Sequence, residues 1–216
     1  MVTIADRIAN LGTETAFAVS AEANAFASQG NNVYPFQLGD INLPTPSTVV
    51  EGSWKALHDG KTGYCPNAGI PQLREALAAD VSASHHVQYG PENVAAQPGG
   101  KPTIGKFILA LMNTGDEVLY PNPGYPIYES QIEFNGGIAV PYGYVEGENN
   151  FGLDFQSIEQ SISPMTRLLI LNDLQNPTGA ECSPEEHERL AELVRKHDLY
   201  VLADEAYFDM RYEGTS

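Results

Sequence analysis

The sequence predicts an α/β fold with three layers, α/β/α, built around a mostly parallel sheet and preceded by an N-terminal helical segment. From residue 94 onward, short apolar runs alternate with helical segments, which is the pattern of consecutive βαβ units. Hydrophobic residues make up 42% of the 216 positions, and 11 tyrosines add large side chains. A chain of this length and composition can bury a sizeable core.

The first part of the chain predicts helices separated by loops. Residues 4–28 are rich in Ala and Glu and lack Pro, so they predict one helix. Residues 33–38 predict a short strand, and the two prolines within residues 39–46 predict a loop. A helix is predicted from Ser47, which we expect to be its N-cap, to His58. A further helix is predicted over residues 71–84, with Pro71 in its first turn.

The remaining elements alternate between strand and helix. The predicted strands cover residues 94–97, 117–120, 138–142, 167–171 and 200–203. The predicted helices cover residues 101–112, 125–135, 154–161 and 184–197. For the last helix we expect Ser183 as the N-cap and Glu186 as its capping-box partner.

Composition excludes several classes of function. The formal charge of −17, from 28 acidic and 11 basic residues, would repel a phosphate backbone, so no nucleic-acid partner is expected. No apolar run approaches the ~18 residues of a membrane span, and no signal-peptide pattern opens the chain, so a cytoplasmic protein is expected. Cys65 and Cys182 lie far apart without metal-type spacing, which predicts free thiols in a reducing compartment and no metal site.

Candidate functional residues follow the predicted strands. In parallel sheets, ligands bind outside the carboxyl ends of the strands, which here are residues 98–101, 121–125, 172–179 and 204–207. Gly99 and Gly100 allow the backbone to approach an anion, and a helix N-terminus follows them. The pattern therefore indicates a phosphate site, although Pro-Gly-Gly also occurs in ordinary turns.

Three polar side chains are predicted to meet at the same sheet edge. Asn176 opens the motif Asn-Pro-Thr-Gly, and Asp204 and Tyr207 bound the motif Asp-Glu-Ala-Tyr. Each residue also has an alternative interpretation: Asn176 as part of an ordinary turn, Asp204 as a helix N-cap and Tyr207 as a core residue. Their joint spacing favours a site for a polar aromatic cofactor. Tyr125, on a Pro-rich loop, could stack on such a ring, whereas Tyr128 is expected only to pack.

Taken together, residues 39–207 resemble the class I/II aminotransferases, fold-type-I enzymes that use pyridoxal 5′-phosphate (PLP). The resemblance implies catalytic roles for three residues. Asp204 would pair with the pyridine nitrogen, while Tyr207 and Asn176 would hydrogen-bond the cofactor's 3′ oxygen. An acid at the ring nitrogen keeps the ring protonated, so that the ring can draw electrons from the substrate's α-carbon.

Further contacts are implied by the same resemblance. Gly99, Gly100 and Lys101 would hold the cofactor phosphate, and Tyr125 would stack on the ring. Tyr64 would reach the phosphate of a neighbouring subunit, which implies a homodimer. Gly39 would lie in the substrate-binding loop.

The resemblance stops short of the family's Schiff-base lysine, which follows the second motif. The five lysines, at positions 55, 61, 101, 106 and 196, all precede that motif. We therefore expect residues 1–45 to belong to the small domain or dimer arm, and residues 46–216 to be a large PLP-binding domain truncated before the lysine. This chain alone is expected to be inactive, with the remainder supplied by a second chain or a missing segment.

The resemblance implies transfer of an amino group from an amino acid to a 2-oxo acid through pyridoxamine phosphate. Two alternatives stay open at the level of sequence. One is a non-catalytic PLP-binding module, favoured by the position of the lysines. The other is a different fold-type-I reaction, such as that of a C–S β-lyase or a synthase, because the same cofactor pocket serves several chemistries.

Overall fold

The computed structural model describes residues 3–11, 15–36, 39, 43–148 and 150–211. Two compact units are formed: Met1–Glu14 together with Pro98–Ser216, and Thr15–Gln97. We call them the sheet unit and the helical unit. No helix among the described residues is long and apolar enough to cross a bilayer.

The helical unit consists of helices and connecting loops. It contains α1 (Thr15–Ala27), α2 (Ser47–His58), α3 (Pro71–His85) and a 3-10 turn at Pro91–Asn93. Arg74 of α3 donates a hydrogen bond from Nε to the carbonyl of Val94 at 2.8 Å, which attaches the following segment to this helix. The boundary that the sequence predicts between residues 45 and 46 stays a prediction.

The sheet unit carries the βαβ pattern. After a 3-10 helix at Asp6–Asn10, its elements from residue 98 onward are α4 (Gly100–Leu111), β1 (Glu117–Pro121), α5 (Ile127–Phe134), β2 (Ile138–Tyr142), β3 (Tyr144–Glu146), β4 (Phe151–Leu153), α6 (Phe155–Ser161), β5 (Thr166–Asn172), α7 (Pro184–His197), β6 (Tyr200–Asp204) and a 3-10 turn at Phe208–Met210.

Four strands form a parallel sheet in the order β2-β1-β5-β6. Strands β3 and β4 form a separate antiparallel pair, which the sequence analysis did not predict. In the parallel sheet, Asn172 at the end of β5 is level with Asp204 at the end of β6. The α/β fold with a parallel sheet is therefore confirmed, and the polar ends of two adjacent strands meet at one edge.

Helices cover both faces of the sheet. On one face, α4 and α5 pack against β1 and β5 through a buried cluster that includes Ile108, Ile132 and Leu168. On the other face, α6 and α7 contribute Ile158 and Leu190 to a second buried cluster. Alternate strand residues point to opposite faces, so one sheet supplies both cores and the three-layer arrangement follows.

The predicted capping box of α7 is confirmed. The Ser183 hydroxyl accepts from the Glu186 backbone N–H at 3.2 Å, and the Glu186 carboxylate accepts from the Ser183 N–H at 2.8 Å. A second oxygen of Glu186 accepts from the Leu153 N–H at 2.8 Å. Because these contacts satisfy backbone donors at the helix start, they position the beginning of α7 against β4.

Several predictions in the first part of the chain are wrong. Residues 94–97 form no strand: the Ala96 N–H donates to the carbonyl of Ala68 at 2.9 Å, a single contact instead of a ladder. Residues 33–36 are likewise not a strand, and residues 37–38 lie outside the described residues. The single helix predicted over residues 4–28 is interrupted, because Leu11 has an extended backbone with φ −82° and ψ 102°. Ser47 is the first residue of α2, after Pro46, instead of its cap.

Candidate active site

A cavity of about 460 Å³ opens at the carboxyl edge of the parallel sheet, within the sheet unit. The ends of β5 and β6 and the N-terminus of α4 form its wall. Its lining includes Pro98, Gly99, Gly100, Lys101, Pro102, Ile104, Tyr125, Tyr128, Asn172, Asn176, Asp204, Ala206 and Tyr207. This volume lies within the range of about 300–1,000 Å³ typical of small-molecule sites.

Asp204 ends β6 and is held by two donors. The Tyr128 hydroxyl donates to Oδ2 at 2.6 Å, and the Ala206 backbone N–H donates to Oδ1 at 3.2 Å. Tyr128 is fully buried, and this burial, followed by its hydrogen bond to Asp204, raises the pKa of the phenol well above its ordinary value. The phenol therefore stays protonated and continues to donate, so the carboxylate keeps one orientation.

Asn172 connects the strand end to the Asn-Pro-Thr-Gly loop. Its Nδ2 donates to the carbonyl of Asp204 at 2.9 Å, and its Oδ1 accepts from the Asn176 backbone N–H at 2.8 Å. The side chain is buried with both ends of its amide paired, so it carries no unsatisfied polar atom into the interior.

Gln175 forms hydrogen bonds that hold the same loop in place. Its Nε2 donates to the carbonyl of Pro123 at 2.6 Å, and its Oε1 accepts from the Thr178 N–H at 2.9 Å. Gln175 is 3% exposed, so these contacts lie away from competing water. Through them the loop that carries Asn176 is attached to the loop that carries Tyr125.

The N-terminus of α4 contributes backbone donors. Gly99 precedes the helix with φ +108°, a backbone conformation that favours glycine, and no side chain caps the helix there. A Cβ added at Gly99 or Gly100 would meet no atom within 4 Å, so the space where a side chain would project from these residues is open. The first N–H groups of a helix have no partner within it and attract anions.

Three tyrosine side chains border the cavity. Tyr125 is half-buried, and its ring meets that of Tyr128 edge-on, with centroids 5.7 Å apart and planes at 88°. Because Tyr128 is buried and bound to Asp204, it supports the Tyr125 ring from one side. Tyr207 follows β6, lines the cavity and is 36% exposed.

The structure brings most of the predicted site residues to this one cavity. Seven of them line it: Gly99, Gly100, Lys101, Tyr125, Asn176, Asp204 and Tyr207. Tyr64 and Gly39 belong to the helical unit and are exposed, and their roles stay predictions.

Sequence reasoning missed two residues of the site. Tyr128 was expected only to pack, but it also donates to Asp204. Asn172 is not among the candidate residues predicted from the sequence, but its side chain bonds both motifs. A usable signal existed for Asn172, because a polar residue that ends an apolar strand faces the sheet edge. Nothing local in the sequence signals the Tyr128 contact, since its partner lies 76 residues away.

The residues present fit PLP. A carboxylate with a fixed orientation, an open helix N-terminus, an aromatic ring, an amide and a phenol surround a cavity of suitable size. These groups match in kind the ring nitrogen, phosphate, ring face and 3′ oxygen of that cofactor.

The fold and the cavity define the class: a doubly wound α/β protein with a small-molecule site at the carboxyl edge of its sheet. The family described as "Aminotransferase class I and II" matches residues 30–216. The chain belongs to this family.

Individual relatives agree with that assignment. The aspartate/prephenate aminotransferase of Thermus thermophilus is 35% identical over 208 residues, which are 96% of this chain and 54% of that protein. A probable aspartate/prephenate aminotransferase of Aquifex aeolicus is 32% identical over 204 residues, 94% of this chain and 52% of that protein. The chain thus spans about half the length of the curated relatives it matches.

Solved structures show the same extent of similarity. The aspartate aminotransferase from Thermus thermophilus with maleate superposes with a TM-score of 0.93 at 34% identity, covering 100% of this chain and 56% of that one. The alanine aminotransferase from Pyrococcus furiosus has a TM-score of 0.92 at 26% identity, covering 99% of this chain and 55% of that one.

Proposed function

We propose that this chain holds PLP in the cavity at the sheet edge and is the cofactor-binding part of an aminotransferase. The reaction would move an amino group from an amino acid to a 2-oxo acid. The observation that carries the proposal is the position of the Asp204 carboxylate. The Tyr128 hydroxyl donates to its Oδ2 at 2.6 Å, and Asp204 lines the same cavity as the N-terminus of α4.

Each group has a distinct task in holding the cofactor. Asp204 would accept a hydrogen bond from the protonated ring nitrogen. The backbone N–H groups at the start of α4, Gly99–Lys101, would hold the phosphate. Tyr125 would cover one face of the ring, while Asn176 and Tyr207 would donate to the 3′ oxygen. When bound, PLP supplies an electron sink for the substrate's α-carbon.

The protein's own residues prepare that chemistry by positioning and electrostatics. Asp204 would hold a proton at the ring nitrogen, and the buried Tyr128 holds the Asp204 carboxylate. Asn172 joins the backbone of the Asn176 loop to the end of β6, so the residues that carry the amide and the carboxylate are tied together. Positioned polar groups of this kind favour charge that develops during reaction without reorganising at that moment.

The complete enzyme would add what these residues do not supply. We place the Schiff-base lysine outside these 216 residues, on a missing segment or a second chain, because all five lysines precede the Asp-Glu-Ala-Tyr motif. In the same proposal, residues 1–45 belong to the small domain or dimer arm. Tyr64 reaches a neighbouring subunit of a cytoplasmic homodimer, and Gly39 contacts the substrate.

A non-catalytic PLP-binding module is the second candidate, and the position of the lysines is the observation that favours it. A related fold-type-I reaction, by a C–S β-lyase or a synthase, would use the same cofactor contacts. Turnover by the chain together with the segment that supplies the lysine separates these possibilities, because all of them use the same cofactor contacts. Aspartate is the first amino donor to assay, since several relatives carry its name.

The test is PLP binding by the purified chain, measured by equilibrium dialysis. Asp204→Asn keeps the size of the side chain but removes its charge. It should weaken binding by about tenfold or more, since a hydrogen bond to a charged group contributes about 1.5–3 kcal/mol. Asp80→Asn, at an exposed position on α3, is the matched control and should bind as the unaltered chain does.

Equal PLP affinity of Asp204→Asn and the unaltered chain would show that the cofactor is not held as proposed. A second measurement concerns the lysine. The chain alone should give no transamination of aspartate with a 2-oxo acid. Turnover by the pure chain would contradict the placement of the Schiff-base lysine outside it.

A further inference from the structure

Three side chains of the types that bind metal ions lie close together, and two of them flank the Asn-Pro-Thr-Gly loop in sequence. The ligand atoms of Asp173, Cys182 and His187 all lie within 4.8 Å of one another. His187 Nε2 is 3.1 Å from Asp173 Oδ2. None of the three lines the cavity that contains Asp204. The proposed aminotransferase function therefore leaves this cluster without a role.

The fold places these three residues through contacts that do not depend on a ligand. Asp173 follows the end of β5, and its Oδ1 accepts from the Cys182 backbone N–H at 3.2 Å. Cys182 directly precedes Ser183, the N-cap of α7, and His187 lies in the early part of that helix. The capping box therefore positions the thiol and the imidazole relative to each other, as a preorganised site requires.

The surroundings of the thiol carry negative charge. Asp173, Glu186 and Glu181 place negative charge near the Cys182 sulfur. Arg211 opposes part of this charge, and its Nε lies 3.1 Å from a carboxylate oxygen of Glu181. A divalent cation beside the Cys182 sulfur would offset the negative charge of these carboxylates.

A buried hydroxyl beside the cluster makes no well-formed hydrogen bond with the described residues. This is Oη of Tyr144 on β3, which interacts electrostatically with both Cys182 and Asp173. The neighbouring Tyr142 hydroxyl donates to the carbonyl of Ile170 at 2.7 Å and also interacts with the Tyr144 hydroxyl. A phenol can both donate and accept, so the Tyr144 hydroxyl can also pair with a bound water beside the cluster.

We propose that Asp173, Cys182 and His187 form a Zn²⁺ site whose fourth position is a water that hydrogen-bonds the Tyr144 hydroxyl. Thiolate, imidazole and carboxylate together are the ligand set that Zn²⁺ takes, and three protein ligands leave one tetrahedral position for water. This proposal replaces the expectation of no metal site, which rested on cysteine spacing along the chain.

Binding requires a small contraction and the loss of one proton. Tetrahedral Zn²⁺ with bonds of about 2.0–2.3 Å brings its ligand atoms to roughly 3.3–3.7 Å of one another, closer than the present outer limit. The His187 side chain is 46% exposed and can move toward the half-buried Asp173 and Cys182. Cys182 releases its thiol proton to solvent, His187 binds through a neutral nitrogen, and Asp173 binds as the carboxylate.

A nucleophilic role for Cys182 fits the cluster less well. Reactive thiolates occur where neighbouring cations lower the thiol pKa, whereas here burial and carboxylates raise it. The imidazole is paired with Asp173 at 3.1 Å, as in a catalytic triad, but the thiol is half-buried near acidic side chains. A metal would satisfy all three side chains at once.

Occupancy of the site would join the loop after β5 to α7. Asp173 lies next to Asn172, which bonds both Asp204 and Asn176. Zn²⁺ would therefore stabilise the segment that carries one wall of the cofactor cavity. We expect the chain to unfold at a higher temperature with Zn²⁺ than after removal of metal, because a ligand that binds only the folded state stabilises it.

The experiment titrates Co²⁺, as a spectroscopic substitute for Zn²⁺, into the reduced, metal-free chain without PLP. We expect one equivalent to bind with a thiolate-to-cobalt charge-transfer band and tetrahedral visible bands, and Zn²⁺ to displace it. Cys182→Ser should abolish the charge-transfer band. His187→Gln, at a half-exposed position that folding tolerates, should weaken Co²⁺ binding by roughly tenfold or more.

Two matched controls keep the result specific. Cys65→Ser removes the exposed cysteine, and His197→Gln removes an exposed histidine at the end of the same helix. Both should retain the band and the affinity. The proposal is overturned if stoichiometric Co²⁺ gives no charge-transfer band, if the band survives Cys182→Ser, or if Cys65→Ser removes it. PLP affinity is measured separately, so failure here leaves the cofactor proposal unaffected.

Discussion

The hydrogen bond from Tyr128 to Asp204 can be removed without disturbing the packing around it. Tyr128→Phe keeps the ring, which is fully buried between α5 and the sheet, and deletes only the hydroxyl. The Asp204 carboxylate would then keep a single described donor, the Ala206 N–H at 3.2 Å. We expect the variant to fold, to be less stable and to bind PLP more weakly.

The magnitude follows from the kind of bond that is lost. The donor–acceptor distance of 2.6 Å is typical of a hydroxyl bound to a carboxylate. Hydrogen bonds to charged groups contribute about 1.5–3 kcal/mol, whereas neutral ones contribute about 0.5–1.5 kcal/mol. Tyr142 offers the comparison, since it is 1% exposed and donates to the neutral carbonyl of Ile170 at 2.7 Å.

The assay is urea unfolding of Tyr128→Phe and Tyr142→Phe, with PLP affinity measured by equilibrium dialysis. We expect Tyr128→Phe to lower the free energy of unfolding by about 1.5–3 kcal/mol and Tyr142→Phe by about 0.5–1.5 kcal/mol. Only Tyr128→Phe should weaken PLP binding, because Tyr142 packs in the cluster on the other face of the sheet. Equal destabilisation by the two variants, together with unchanged PLP affinity, would refute the role given to Tyr128.

Two further predictions concern backbone conformation and alkaline pH. Gly99→Ala should lower the free energy of unfolding by about 1–3 kcal/mol, because φ is +108° there, while Gly100→Ala should be close to neutral. Urea unfolding of the pair checks this, and equal effects would contradict it. Burial and then Glu129 raise the pKa of Tyr120 from 10.0 to about 12, so its proton is held more tightly in the folded state. The ionisation of Tyr120 therefore leaves the free energy of unfolding unchanged below pH 10 and lowers it as pH rises from 10 to about 12. Tyr120→Phe should reduce this loss of stability, which urea unfolding at several pH values measures.

Local signals were sufficient wherever an element depends on its own residues. The beginning of α7 was predicted correctly because Ser183 and Glu186 satisfy the first backbone donors, whatever the rest of the chain does. Strand β2 was predicted over its full length, Ile138–Tyr142, from an apolar run bounded by turn residues. Gly99 was likewise identified from sequence, and its φ of +108° is a backbone conformation that favours glycine.

Sequence signals failed where structure depends on a partner elsewhere in the chain. Residues 94–97 have the apolar character of a strand, but the Ala96 N–H bonds a loop carbonyl at Ala68 instead of a neighbouring strand. A strand needs a second strand beside it, and composition does not reveal whether one is there. The β3–β4 pair is the opposite case, because two short segments without a strong strand signal become strands by pairing with each other.

The sequence by itself determined the α/β class, the strand-end position of the candidate site and most of its residues. These features follow from hydrophobic period, turn chemistry and helix caps, which act over a few residues. Only the tertiary structure decided that Tyr128 holds Asp204, that Asn172 joins the two motifs, and that Asp173 meets Cys182 and His187. Each of those contacts depends on how strands and helices pack, and that packing places side chains together whatever their distance along the chain.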